Sequence, residues 1–252
     1  DTGLEIEIIA AEEEARLAVA GCAPLFDPAA EHLLVFDIGG GSTELIWVDL
    51  ASTSPEKRVA VLKALALGQG SARARDAARH VNDWISLPVG VVTLIESYSG
   101  HDDDREQFDA MHAHVAELIR PFAERAGCAP TAERLEKLQV LGTSGTITTL
   151  AGVHLELQRY SRDRVDGVWI GGAEVDEVIS RLREMTPYER AAVPCIGDDR
   201  ATNLMSGAAI LRAILRAWPT DRLRVADRGL REGLLYGLMQ DAQRRAPRGA
   251  GR

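Results

Sequence analysis

Asp37-Ile38-Gly39-Gly40-Gly41-Ser42-Thr43-Glu44 joins two apolar runs, and its reading decides the fold. Leu33 to Ile38 is a continuous run that delivers Asp37, suited to a strand buried on both faces. Three glycines follow, and Thr43 to Leu50 reads as a second strand, so the pair predicts a hairpin. Glycines let backbone amides approach a ligand closely. Ser42 and Thr43 add hydroxyl donors, while Asp37 and Glu44 are hard oxygen ligands suited to Mg²⁺. No lysine follows the glycines, so this is not a P-loop. The third glycine of a dinucleotide fingerprint would fall at Glu44, and a strand follows where that fingerprint requires a helix. A plain hairpin needs one or two glycines, not three behind a buried aspartate.

Working outward, Ala11 to Ala20 is rich in helix formers and Gly21 is expected to end that helix. Arg58 to Leu67 fits either a third strand or a helix start, and Ala72 to His80 reads as helical. Trp84 to Leu87 is a short strand before Pro88 and Gly90, and Val91 to Ser97 a helix. Gly100 to Asp104 is an acidic loop. Arg105 to Arg125 carries Phe108, Met111, Val115, Leu118, Ile119 and Phe122 at helical spacing. Leu138 to Leu141 predicts a strand, Thr146 to Leu157 and Val175 to Met185 predict helices, and Ala201 to Trp218 a long apolar helix. Leu223 to Ala226 closes the strands and Leu230 to Gln240 the helices. Strands alternate with helices after an initial hairpin, which is an α/β class with a mixed sheet.

A net charge of −9 over 252 residues opposes a nucleic-acid duplex as partner, since such affinity comes from neutralising phosphates. No apolar run reaches the roughly 18 residues needed to span a bilayer, so no membrane partner is expected. Cys22, Cys128 and Cys195 are odd in number and far apart, which matches neither a disulfide framework nor a zinc site and points to the reducing cytoplasm.

Three further segments carry chemistry. Glu12-Glu13-Glu14-Ala15-Arg16 reads either as an acidic first helical turn or as a source of a general base. Leu141-Gly142-Thr143-Ser144-Gly145-Thr146 runs a strand into a helix start, which is an anion site or a simple N-cap. Asp227-Arg228-Gly229-Leu230-Arg231-Glu232-Gly233 caps the last helix with charges set for ion pairing.

A glycine loop opened by aspartate between antiparallel strands resembles the phosphate-holding turn of the actin, Hsp70 and sugar-kinase superfamily. In this order the segments together resemble the exopolyphosphatase/guanosine-pentaphosphate phosphohydrolase (Ppx/GppA) family over nearly the whole chain. Ile6-Glu7-Ile8-Ile9 leading to Glu13-Glu14-Ala15-Arg16-Leu17 is similar to its strand and helix, and Leu87-Pro88-Val89-Gly90 to its Leu-Pro-x-Gly segment. Arg228 to Gly233 is similar to its closing motif. The resemblance implies an actin-like ATPase (ribonuclease H-like) fold, a mixed sheet with flanking helices, and hydrolysis of phosphoanhydride bonds. It implies Glu14 as general base and Asp37 and Glu44 as Mg²⁺ ligands. Phosphate is expected on Gly39, Gly40, Gly41, Ser42 and Thr43, and on Ser144 and Gly145. Expected partners are polyphosphate or guanosine penta- or tetraphosphate, with a homodimer among the assemblies. The rivals are a non-catalytic module binding those ligands and an ATP-using kinase or ATPase of the superfamily.

The family's Arg-Ala-Asp is Arg200-Ala201-Thr202 here, residues 67–83 look like an insertion, and the family's first phosphate loop has no counterpart. The chain opens on Asp1 in place of methionine. The expected division is therefore a remnant of a first domain over 1–22, a second actin-like domain over 23–241 and a disordered tail over 242–252. On that division this chain alone lacks one set of phosphate donors. A polyanionic substrate also needs a locally basic cleft, for which Arg16, Arg200, Arg228 and Arg231 are the candidates.

Overall fold

The computed structural model describes residues 9–68, 70–98, 104–125 and 127–245. The expected strand over Leu4 to Ile8, most of the acidic loop from Gly100 and the end of the tail lie outside these residues.

In chain order the elements are α1 (Ala11–Cys22), β1 (His32–Ile38), β2 (Thr43–Asp49), α2 (Pro55–Ala64), α3 (Ala72–Ala78) and β3 (Val81–Leu87). Then come α4 (Val91–Ser97), α5 (Asp104–Ala123), α6 (Ala132–Glu136), β4 (Leu138–Thr143), α7 (Gly145–His154) and α8 (Arg162–Val165). The last are β5 (Trp169–Gly171), α9 (Gly172–Glu184), α10 (Pro187–Ala191), α11 (Asp198–Ala217), β6 (Arg222–Ala226) and α12 (Leu230–Arg245). The short β5 and the small helices α6, α8 and α10 carry too few residues to show a period in the sequence.

The strands form one mixed sheet in the order β3-β2-β1-β4-β6-β5. β1, β2 and β3 run as an antiparallel meander, β4 and β6 run parallel to β1, and β5 is an antiparallel edge. Alternation along each strand feeds two cores. Leu34, Phe36, Leu45, Trp47, Val140 and Val225 pack with α5, α7, α9 and α11 on one face. Leu33, Val35, Ile46, Val48 and Leu141 pack with α1 and α2 on the other. Both faces of β1 are thus buried, which is why its sequence is continuously apolar rather than alternating.

One open reading is decided and one expectation changes. Of the two readings of Arg58 to Leu67 the helix holds as far as Ala64, because Ser54-Pro55 starts α2 there, with proline at the first helical position. Gly21 does not end α1, which continues to Cys22. Its role is close approach: a Cβ at Gly21 would overlap the Gly229 carbonyl, and one at Gly233 the Leu17 carbonyl. α1 and α12 therefore pack backbone to backbone. The opposite side of α12 exposes Leu234, Leu235, Leu238 and Met239. Among the described residues no helix is long and apolar enough to cross a membrane.

The register sets up the site. Asp37 on β1 pairs with Thr143 on β4, and Thr143 with Ala226 on β6. All three strands are parallel, so the turns that follow them open at one edge of the sheet. β1 has an antiparallel neighbour on one side and a parallel one on the other, so that edge includes the point where strand direction changes. The carboxyl ends of parallel strands are the usual ligand sites of open α/β sheets.

Candidate active site

The β1–β2 turn is held from below. The Gly39 amide donates to the Ser42 carbonyl at 2.9 Å, closing the turn. The Gly39 and Gly40 carbonyls accept from the first amides of α4, Val91 and Val92, each at 2.9 Å. This seat exists because residue 90 is glycine: a Cβ there would lie 2.5 Å from Gly39 O and from Gly40 C and O. The Leu-Pro-x-Gly segment is thus the platform of the glycine turn, a role that the sequence alone did not assign.

None of Gly39, Gly40 and Gly41 has positive φ. A Cβ at Gly41 would meet nothing within 4 Å, and one at Gly40 only Val92 Cγ2 at 3.7 Å. Neither backbone conformation nor packing demands glycine at these two positions. Among the described residues no acceptor takes the amides of Gly40, Gly41 or Ser42. Gly40 and Gly41 are exposed, so these amides are open to solvent and to an anionic ligand. Two members of the expected phosphate set already have partners within the protein. The Gly39 amide is engaged within the turn, and the buried Thr43 hydroxyl donates to the Val89 carbonyl at 2.7 Å. Thr43 ties the loop to its platform because its strand position points that side chain into the interior.

Asp37 lies beside this turn within the field of two other carboxylates. Asp37 and Glu44 are cross-strand partners in the β1–β2 ladder. Burial first, then the charge of Glu44, then that of Glu14, pushes Asp37 up to about 6. Glu14 is thus the α1 glutamate whose field reaches the site, from an exposed place in the first helical turn. Glu44 accepts from the Ser86 hydroxyl at 2.8 Å, which fixes its orientation. Among the described residues no group of three or more His, Cys, Asp or Glu side chains is arranged as a cage for a metal ion. Asp37 and Glu44, paired across the ladder, nevertheless offer the kind of donor set that suits Mg²⁺, which is commonly held by one or two carboxylates plus substrate oxygens.

The β4–α7 turn faces the glycine turn. Ser144 precedes the first residue of α7 with φ 101° and ψ 174°, a region costly for any residue but glycine. Its buried hydroxyl has no hydrogen-bond partner. Gly145 opens onto free space. Strain together with an unpaired hydroxyl at the positive end of a ten-residue helix marks a place built for something other than stability.

Two lobes make the cleft. One, of about 370 Å³, lies between Ile38, Gly39, Gly40, Val91, Asn203 and Leu204. The other, of about 300 Å³, runs from Asp37 past Thr148 and Tyr160 to Asp227, Arg231 and Glu232. Ser144, Gly145 and Arg200 line both.

The structure sorts the candidate arginines. Arg200 stands at the junction of the lobes, with Nη1 donating to Thr149 Oγ1 at 2.9 Å. Arg231 lines the polar lobe and is exposed. Arg228 also borders that lobe, but its guanidinium clasps Asp166, with Nε 3.1 and 3.0 Å from the two carboxylate oxygens. Arg16 is buried in α1 with Nε unpaired. The closing motif is itself tied down: Glu232 accepts from the Gly229 amide and from Arg162, both at 2.8 Å. The ion-pair reading of that motif therefore holds for Arg228 and Glu232.

A sequence profile described as the Ppx/GppA phosphatase family matches residues 1–242. Among solved structures, the chain is similar to a Ppx/GppA family member of Aquifex aeolicus, at 25% identity and TM-score 0.72, covering 96% of this chain and 67% of that one. It is also similar to the type II variant of the Aquifex aeolicus Ppx/GppA phosphatase, at 26% identity and TM-score 0.66, covering 94% and 66%. An exopolyphosphatase from Cytophaga hutchinsonii shares the fold, at 20% identity and TM-score 0.72, covering 94% and 66%. The chain thus spans about two thirds of the length of these relatives. Its architecture is the α/β actin-like ATPase fold, as expected from the glycine turn.

Proposed function

The chain belongs to the Ppx/GppA phosphatase family, and from that premise we propose that the protein hydrolyses phosphoanhydride bonds, releasing orthophosphate from inorganic polyphosphate or guanosine pentaphosphate. One observation carries the reading. Gly40 of the glycine turn, the strained Ser144 turn and Arg200 line one cleft that Asp37 borders, and the amides of Gly40, Gly41 and Ser42 in that turn have no acceptor among the described residues.

Phosphoryl transfer asks mainly for positioning and charge stabilisation. The three loop amides hold non-bridging oxygens of the terminal phosphoryl group. The amide of Gly145, at the start of α7, and the Ser144 hydroxyl meet it from the β4 side. Arg200 holds the next phosphate of the chain. Asp37 and Glu44 would hold Mg²⁺, which when bound offsets the negative charge of the phosphates. Glu14 accepts a proton from a water as its oxygen bonds to phosphorus. The bridging P–O bond breaks on the opposite side, and its electron pair leaves with the shortened chain. The long-range field of a −9 protein opposes a polyanion, so these local donors carry recognition.

A second reading is binding of polyphosphate or guanosine tetraphosphate without turnover, since the exposed Glu14 side chain has, among the described residues, no hydrogen-bonded partner that would fix it as a base. Orthophosphate release from tripolyphosphate or guanosine pentaphosphate with Mg²⁺, measured beside equilibrium binding of the same ligands, separates the two. Release that Glu14→Gln abolishes supports hydrolysis; binding with no release supports the module. A homodimer is also proposed, and sedimentation of the chain tests it.

A further inference from the structure

Arg200 sits exposed on the first turn of α11, and one hydrogen bond, from Nη1 to Thr149 Oγ1 at 2.9 Å, leaves the other face of its guanidinium free to turn. Its Cζ lies 5.6 Å from the centre of the Tyr160 ring, within cation–π range. Tyr160 is 37% exposed, so core packing does not fix its ring. Its hydroxyl instead donates to Asp227 Oδ2. Asp227 is in turn a hub: its amide donates to Asp166 Oδ1 at 3.0 Å, and its carbonyl accepts from Arg162 at 2.6 Å. Asp166 is clasped by Arg228. A chain of polar contacts thus runs from the closing motif through one exposed aromatic ring to the arginine at the junction of the two lobes.

We propose that Tyr160 is a positioning residue: pinned by Asp227, its ring aims the Arg200 guanidinium across the cleft toward the phosphate chain. The proposal rests on the reading that Arg200 holds phosphate, and it adds the device that keeps the arginine in place. Burial and the Asp227 carboxylate push the Tyr160 hydroxyl up to about 12, so it remains a donor throughout the neutral range. The arrangement also gives the Asp227-Arg228 segment a purpose beyond capping α12, since both residues hold the post on which Arg200 leans. A preorganised cation loses less freedom when it meets its ligand than a mobile one.

The test is a double-mutant cycle on tripolyphosphate binding, read by calorimetry in EDTA so that turnover is suppressed. Tyr160→Leu is expected to weaken binding about three- to ten-fold. In an Arg200→Ala background the same change is expected to do almost nothing. Tyr160→Phe keeps the ring but loses the anchor, so its effect should fall between wild type and Tyr160→Leu. Equal losses from Tyr160→Leu in both backgrounds would mean that the tyrosine acts through general structure, and would overturn the proposal. No loss in either background would overturn it as well. A second measurement needs no ligand: ¹⁵N relaxation of the Arg200 Nε–H should report a more mobile guanidinium in Tyr160→Leu. An unchanged order parameter there overturns the positioning role. If wild-type protein binds no tripolyphosphate, the phosphate reading of the cleft fails, while the relaxation comparison still decides what Tyr160 does to Arg200.

Discussion

Gly41→Ala and Gly90→Ala add the same methyl group to two glycines of one site and should have opposite consequences. At Gly41 the new Cβ meets nothing within 4 Å and φ is not positive, so the folded state accepts alanine without strain. The unfolded chain loses freedom, which should stabilise the protein by about 0.4–1 kcal/mol. Thermal midpoint should rise by about 1–4 °C for a chain of this size. On the proposed phosphate reading, the same methyl should hinder close approach of an oxyanion to the turn's amides. Losing one hydrogen bond to a charged acceptor costs about 1.5–3 kcal/mol, or roughly 10- to 150-fold in tripolyphosphate affinity. At Gly90 the new Cβ would lie 2.5 Å from three backbone atoms of the loop that α4 holds by its first amides. Relief requires the loop to move by most of an ångström, stretching the Val91 and Val92 bonds. Overpacking of this kind costs about 1–3 kcal/mol. A shift of about 1 Å in the turn should also lower orthophosphate release by about 10²-fold. Differential scanning calorimetry gives the stabilities and titration calorimetry the affinities. A Gly41→Ala protein that binds tripolyphosphate as wild type does would refute the phosphate role of the turn and leave a plain hairpin. A Gly90→Ala protein with unchanged midpoint and affinity would refute the platform.

Glu14→Gln should lower orthophosphate release by about 10²–10⁴-fold while leaving tripolyphosphate binding intact; comparable release would remove Glu14 from the mechanism. Asp37 titrates near 6 in the folded protein against 3.8 as its ordinary value, so the folded state holds the extra proton between those pH values. Its contribution therefore destabilises as pH rises from about 4 to 7, by up to about 3 kcal/mol in the metal-free protein. Asp37→Asn should accordingly be the more stable protein at pH 7 by denaturant titration, with the difference vanishing near pH 4; a difference independent of pH would contradict the crowding of Asp37. Arg200→Ala should weaken tripolyphosphate binding at least ten-fold with little change in stability. Arg228→Ala should instead destabilise by about 1–3 kcal/mol, because it leaves the Asp166 carboxylate without its guanidinium. Reversed effects in the two variants would mean that substrate and structural arginines have been exchanged.

The octapeptide from Asp37 to Glu44 determined the class of fold from the sequence alone, because the number of glycines and the strand after them leave few other structures. Helix and strand positions were legible wherever apolar spacing was regular, as in β1, α4 and α11. Arg58 to Leu67 was not, since residues in a short amphipathic stretch fit either period and only the proline start of α2 decides it. Position 21 was misread because glycine has one local signature, helix termination, while its reason here is the backbone of α12 lying against it. The same limit applies to Gly90, whose need for hydrogen in place of a methyl depends on a loop fifty residues earlier. The sequence showed that Thr43 carries a hydroxyl, but only the tertiary structure decided that Val89 takes it. Four arginines were equal candidates for the cleft; burial of Arg16 and the Asp166 partner of Arg228 distinguish them from Arg200 and Arg231. Local composition records what a segment is able to form. Which donors remain free for a ligand is decided by long-range packing, because each polar group is claimed by whatever the fold brings beside it.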